Sequence, residues 1–259
     1  MSRPYTGFDQ NAKGKRAGTE KLVQLISFLS GNTLWNNGTW TVRPMNNPNA
    51  KPRPSVHGTG RAADLSWRKD PKRNRGGSYE DAVRIADFLV QWADLLRIEE
   101  IHDYYPAPFG RGWRCDRAAW RIYDKQTIGS APGGDWLHIE ISNEFADNPG
   151  YYDQAIKDIF SGKATASAPA PAPKPAPAPK PAPAVTPAGP LVFAYPGKPI
   201  KIRSRNSDAV KLIQAVLKIT ADGKFGPQTQ NAIKKFQESK GLTPDGEVGP
   251  KTWNALFPA

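Results

Sequence analysis

Residues 55–67 read SVHGTGRAADLSW, and their alternation decides how the N-terminal part of the chain folds. From residue 62 on, Ala63, Leu65 and Trp67 fall on one side of a strand while Ala62, Asp64 and Ser66 fall on the other. One side reads as core and the other as small and polar. Upstream, Gly58 and Gly60 let the chain turn tightly between His57 and this strand, although an ordinary glycine loop fits the same residues.

The same division recurs elsewhere. LHIEIS at 137–142 sets Leu137, Ile139 and Ile141 against His138, Glu140 and Ser142, and TWTVR at 39–43 sets Trp40 and Val42 against Thr39, Thr41 and Arg43. IEEIH (98–102) and AWRIY (119–123) are further short strand candidates. Helical spacing appears twice. Thr19 reads as the N-cap of a helix with Leu22, Leu25, Ile26 and Leu29 on one face. Ser78, with Asp81 three residues on, opens a second that runs through Ile85, Phe88, Leu89, Trp92 and Leu96. Helices on one face of a small, largely antiparallel sheet are the natural α+β arrangement for such a pattern.

Composition divides the rest. The segment SAPAPAPKPAPAPKPAPAVTPAGP from Ser167 is an Ala-Pro repeat that cannot bury a core, so the expected organisation is a domain at 1–163, a linker at 164–190 and a second domain at 191–259. In polyproline II geometry roughly twenty such residues span on the order of 60 Å. The last part holds a short amphipathic helix, SDAVKLIQAVLK, and a near-repeat, DGKFGPQTQNAIKKFQ from Asp222 and DGEVGPKTWNALF from Asp245. Each copy places Pro at a helix start after a Gly-bearing turn, which predicts a compact all-α domain of about three helices. Neither copy supplies the alternating oxygens of an EF-hand loop, so calcium is not expected there.

The 259 residues carry a net charge of +12, of which +4 falls in 1–163, +2 in the linker and +6 in 191–259. Such an excess favours polyanionic partners and does not choose among nucleic acid, anionic lipid and acidic wall polymers. The basic run RKDPKRNRGG reads first as solvated surface. A recognition-helix pattern and base-stacking motifs are both missing, which argues against nucleic acid. The N-terminus is polar and basic with no apolar signal region, and no run approaches a membrane span, so synthesis in the cytoplasm without a signal peptide is expected. A lone cysteine, Cys115, excludes an internal disulfide and a thiolate zinc cage.

Three histidines remain: 57, 102 and 138. His57, Asp64 and His138 make a three-ligand set that leaves a fourth position of a Zn²⁺ ion open for water. Asp135, on a Gly-Gly turn before His138, is placed as general base, Arg43 as stabiliser of an oxyanion or a substrate carboxylate, and Ser55 and Glu140 as orienters of the ligands. Trp113 and Trp136 are candidate cleft walls, and His102 has no assigned role beyond structure or rim.

The segment SVHGTGRAADLS resembles the Ser-x-His-x-x-Gly-x-Ala-x-Asp motif of the zinc peptidases that act on peptidoglycan stems, a family of D-alanyl-D-alanine carboxypeptidases, vancomycin-resistance dipeptidases and L-alanyl-D-glutamate endolysins. DWLHIE resembles its closing motif, with Asp135 where many members have Glu, and VRP resembles the segment bearing its substrate-stabilising Arg. The resemblance, over roughly 40–142, implies the hedgehog / D-Ala-D-Ala peptidase type of fold and one zinc held by His57, Asp64 and His138. It further implies Asp135 as base and Arg43 as stabiliser.

Residues 205–257 resemble the three-helix peptidoglycan-binding domain. Together the two resemblances imply a monomeric bacteriophage endolysin, released to the wall through a holin-type pore, that cuts L-alanyl-D-glutamate bonds. D,D-carboxypeptidase or D,D-endopeptidase activity, or a non-catalytic wall binder with a structural zinc, are the alternatives.

Overall fold

The computed structural model describes residues 3–45, 53–73, 75–127, 131–166, 195–204 and 207–258; of the expected linker, residues 167–190 lie outside these. The chain divides into two compact units. The first holds Met1–Ser27 and Asn32–Tyr152, and the second holds Phe28–Gly31, Asp153–Thr165 and the C-terminal residues.

In chain order the elements are α1 (Ala17–Leu29), β1 (Trp35–Gly38), β2 (Ala62–Ser66), α2 (Tyr79–Gln91), α3 (Ala93–Leu96), β3 (Ile98–Asp103), β4 (Arg111–Arg114), β5 (Ala119–Ile122), β6 (Trp136–Ile141), α4 (Pro149–Phe160), α5 (Ser207–Val216), α6 (Pro227–Ser239) and α7 (Pro250–Leu256). The strands form one six-stranded sheet in the order β1-β2-β6-β3-β4-β5, antiparallel at every pairing. The protein is therefore α+β, with a separate C-terminal helical segment.

Register carries the alternation across the sheet. Leu65 faces Leu137, and Ala63 faces Ile139, which faces Ile101. All five are buried, and α2 packs on β3 and β6 with Ile85, Phe88 and Leu89 buried. The capping box at the start of α2 forms as expected: the Ser78 hydroxyl accepts from the Asp81 N–H, and the Asp81 carboxylate accepts from the Ser78 N–H. The helix does not run on to Leu96 unbroken. Trp92 departs from helical geometry between α2 and α3.

Two further expectations are corrected. Thr19 is not an N-cap, since α1 already begins at Ala17. Its hydroxyl donates to the Gly60 carbonyl at 2.7 Å and its N–H to the Ala146 carbonyl at 3.0 Å, so tertiary partners satisfy what a cap otherwise supplies. TWTVR is not a strand of the sheet; β1 is the preceding WNNG. Segment 41–45 instead pairs with 53–57, through Thr41 N–H to His57 O, Ser55 N–H to Arg43 O, and Met45 N–H to Arg53 O. Pro44 and Pro54 face one another there and offer no N–H to extend a ladder. Trp40 and Val42 consequently meet no core, and Val42 is 57% exposed.

Besides β1, two elements fall outside the periodicities read above, β4 and α4. For α4 a local signal existed: Asn148 Oδ1 accepts from Tyr151 N–H at 3.1 Å ahead of Pro149, an N-cap followed by Pro at the first helical position.

The C-terminal unit contains a structural duplication. The side chain of Gln214, buried on α5, donates to Asp222, to the Lys224 carbonyl and to Thr229, and accepts from Gly223 N–H. Twenty-three residues later Gln237, buried on α6, donates to Asp245, the Glu247 carbonyl and Thr252, and accepts from Gly246 N–H. Each glutamine ties the end of one helix to the Asp-Gly loop that starts the next, and α6 and α7 both begin with Pro as expected. Among the described residues no helix is long and apolar enough to cross a membrane.

Candidate metal centre

The polar face of the sheet is built by register. On β2, β6 and β3, Asp64 lies opposite His138, which lies opposite His102, so the three side chains rise from adjacent strands on one side. His57 reaches the same point from a short 3-10 turn, Val56–Thr59, whose N-cap is Ser55; the Ser55 hydroxyl accepts from His57 N–H at 3.3 Å. The turn closes on Gly60 at φ +68°, the left-handed conformation that glycine adopts without strain.

The three sequence-derived ligands meet. His57 Nε2 lies 3.1 Å from His138 Nδ1, His138 Nδ1 lies 3.0 Å from Asp64 Oδ1, and His57 Nε2 lies 3.3 Å from that oxygen. A tetrahedral ion with bonds of about 2.0–2.1 Å separates its ligand atoms by about 3.3–3.4 Å, so the triangle is close to the size such a cation needs.

Donor chemistry points the same way. His138 Nε2 faces Glu140 Oε1 at 3.0 Å, and an ionised carboxylate only accepts, so the proton sits on Nε2 and the Nδ1 lone pair faces Asp64 and His57. His57 Nδ1 is buried with no hydrogen-bond partner among the described residues, which leaves Nε2 able to present its own lone pair. Acceptors from three residues converge where a cation would satisfy them all.

The charges respond to this crowding. With protons rather than a cation on the imidazole nitrogens that face it, burial would raise the Asp64 carboxyl, but hydrogen bonds from His138 and His57 outweigh it and hold it well below the usual carboxylate range. Burial would lower His138, yet Asp64 and Glu140 push it up to about 10 when a proton is the only cation at hand. Burial likewise opposes ionisation of Glu100, and His102 with Tyr5 and His138 brings it down to about 2.

Of the remaining sequence-derived residues, Glu140 is buried and touches His138 directly. Asp135 precedes β6, its carbonyl accepting from Trp67 N–H and from the Ser66 hydroxyl. Its carboxylate is held bidentately by Arg68, at 2.7 Å from Nε and 2.9 Å from Nη2. Arg68 reads from sequence only as the start of the solvated basic run; its place four residues after Asp64, just past the end of β2, is the signal that was there to use.

Arg43 does not point from a sheet strand into the cleft as the alternation implied. It lies on the segment paired with 53–57, exposed, with its guanidinium donating to the Pro44 carbonyl at 3.2 Å. Trp113 is not a cleft wall either. It pairs with Ile101 across β3 and β4, on the apolar face, and is buried. Trp136 does share the polar face with His138, and its ring centroid lies 5.6 Å from that of Tyr104.

His102 stacks on Tyr104 with centroids 5.6 Å apart and planes 11° apart, and its Nε2 lies 3.4 Å from Glu100. Its Nδ1 meets the Tyr123 hydroxyl, which occupies the space that a side chain at Gly112 would fill. Glu100, His102 and Glu140 thus form a second group of ligand-type atoms behind the first.

Residues 206–256 match the family model of the peptidoglycan binding domain. No curated protein and no solved structure matches the chain. The chain thus carries a peptidoglycan-binding domain, which fits a protein associated with the bacterial cell wall.

Proposed function

We propose that the N-terminal unit is a zinc-dependent peptidase of the peptidoglycan stem peptide, and that the protein is an endolysin in which the C-terminal domain holds that activity on the wall. The reading rests on one observation above others: His57 Nε2, Asp64 Oδ1 and His138 Nδ1 converge within 3.3 Å while Glu140 holds the proton of His138 on the far nitrogen. The peptidoglycan-binding domain supports the polymer as partner. Cleavage between L-alanine and D-glutamate is the favoured specificity, because a wall-binding module serves an enzyme working within the polymer.

Zinc, when bound by His57, Asp64 and His138, supplies Lewis-acid polarisation of the scissile carbonyl and lowers the pKa of a water to about 7. The Asp135 carboxylate takes the proton of the attacking water and returns it to the leaving amine. Arg68, through its two bonds to that carboxylate, keeps Asp135 aimed. Arg43, exposed on the segment beside Ser55 and His57, is the candidate to meet a substrate carboxylate or the developing oxyanion, for which its guanidinium must turn away from the Pro44 carbonyl.

Digestion of purified sacculi followed by mass spectrometry of the released fragments tests this. New D-glutamyl N-termini, abolished by a chelator and restored by zinc, are expected, together with loss of bound metal in His57→Ala. Released D-alanine would instead assign D,D-cleavage, and unchanged sacculi with a fully metal-loaded protein would leave only a wall binder.

A further inference from the structure

The N-terminal segment is strapped onto the sheet. Arg3 donates to the carbonyls of Ala93 and Ile98, Thr6 donates through both its N–H and its hydroxyl to the carboxylate of Glu99, and Ala12 N–H bonds the Gly58 carbonyl beside His57. Arg61, a fully buried guanidinium, ties the strap down: it donates to the Gly7 carbonyl and lies 3.3 Å from Asp9 and 3.5 Å from Glu99. A buried arginine with carboxylates on two sides is costly to leave unpaired, so the strap is part of the folded unit rather than a loose end.

What the strap delivers is Tyr5. Its hydroxyl donates to Glu140 Oε2 at 2.9 Å, while Glu140 Oε1 receives His138 Nε2 at 3.0 Å. A buried carboxylate bonded through one oxygen can still pivot about its last torsion. Bonded through both, it is fixed in plane and direction, and the imidazole it holds is fixed with it.

The neighbouring Glu100, His102 and Glu140 gather ligand-type atoms, but donors already fill the group: Tyr5 and His138 on Glu140, and the Tyr123 hydroxyl on His102. That group therefore acts as a hydrogen-bonded buttress and not as a second cation site.

We propose that Tyr5 is a positioning residue of the metal centre: its hydroxyl fixes Glu140, and Glu140 fixes His138 Nδ1 toward Asp64 and His57. The proposal rests on the reading above, that these three residues bind zinc. It makes the occupancy of a site formed by residues 57, 64 and 138 depend on a side chain at the start of the chain.

The test is the zinc affinity of the full-length protein, by competition with a chromophoric chelator, for the wild type, Tyr5→Phe, Glu140→Gln and the double variant. Phenylalanine keeps the ring over which the Arg114 guanidinium lies, 4.7 Å from the centroid, and removes only the hydroxyl. Losing an outer partner of a ligand costs about 10–100-fold in metal affinity. Glu140→Gln is expected in that range and Tyr5→Phe at its lower end, about tenfold, with no further weakening in the double variant, because Tyr5 acts through Glu140.

Unchanged affinity in Tyr5→Phe overturns the proposal and leaves the zinc reading standing. So does a Tyr5→Phe effect that persists undiminished on the Glu140→Gln background, which would mark a merely structural role. A wild type that binds no zinc overturns both.

Discussion

Replacing Gln237 with leucine removes one amide that serves four partners. Leucine has a similar volume, so the cost is chiefly polar. Gly246 N–H loses its acceptor inside the unit, and the Glu247 carbonyl, Asp245 and Thr252 lose a shared donor. Asp245 can turn to water and the Thr252 hydroxyl can rotate to another acceptor, which leaves one or two buried groups unpaired at about 1–3 kcal/mol each. A loss of about 2–4 kcal/mol follows. At roughly 0.05–0.15 kcal/mol per residue, a domain of about sixty residues has some 3–9 kcal/mol to lose. With about 4–8 °C per kcal/mol at this size, the transition of the C-terminal domain should fall by about 10–25 °C.

The duplication provides an internal check, because Gln214→Leu strips the same four partners from the first copy and should produce a shift of the same order. Thermal melts followed by near-UV circular dichroism, with pelleting on sacculi above and below the lowered transition, measure both stability and wall binding. Shifts under about 3 °C in both variants would refute the reasoning that these amides are what hold the Asp-Gly loops.

If the N-terminal unit is the zinc peptidase proposed, Arg68→Gln should leave zinc content unchanged and lower kcat on sacculi about tenfold, since Asp135 loses its two-bonded partner while His57, Asp64 and His138 are untouched; loss of metal would show the argument wrong. Ser78→Ala removes the capping box of α2 and should cost about 1 kcal/mol, read as a lower denaturant midpoint with unchanged slope. Burial pushes the Cys115 thiol up from near 9 to about 11, so at pH 8 it is a neutral thiol and should react with a disulfide reagent far more slowly than free cysteine. Because its folded value is raised, the stability this thiol contributes is present below about pH 9 and is lost as pH rises toward 11. Cys115 donates to the Pro4 carbonyl on the strap, so Arg3→Ala should speed its labelling.

Much of this was legible locally. The alternation of AADLS and LHIEI, the Ser78–Asp81 box and the Gly-Pro starts of α6 and α7 depend on neighbours within a turn or two, and each element formed as its residues indicate. TWTVR alternates just as well and is not in the sheet, because exposure is decided by what packs opposite and its backbone pairs with a proline-bearing segment instead.

What the sequence determined by itself is therefore a set of local preferences and a short stock of groups able to ligate. That His138 lies between Asp64 and His102, that Arg68 holds Asp135, and that Tyr5 reaches Glu140 across 135 residues were decided only in the tertiary structure. The physical reason is that strand register and buried hydrogen bonds join distant segments, and a side chain's partner depends on which backbone is brought beside it, which no local periodicity contains.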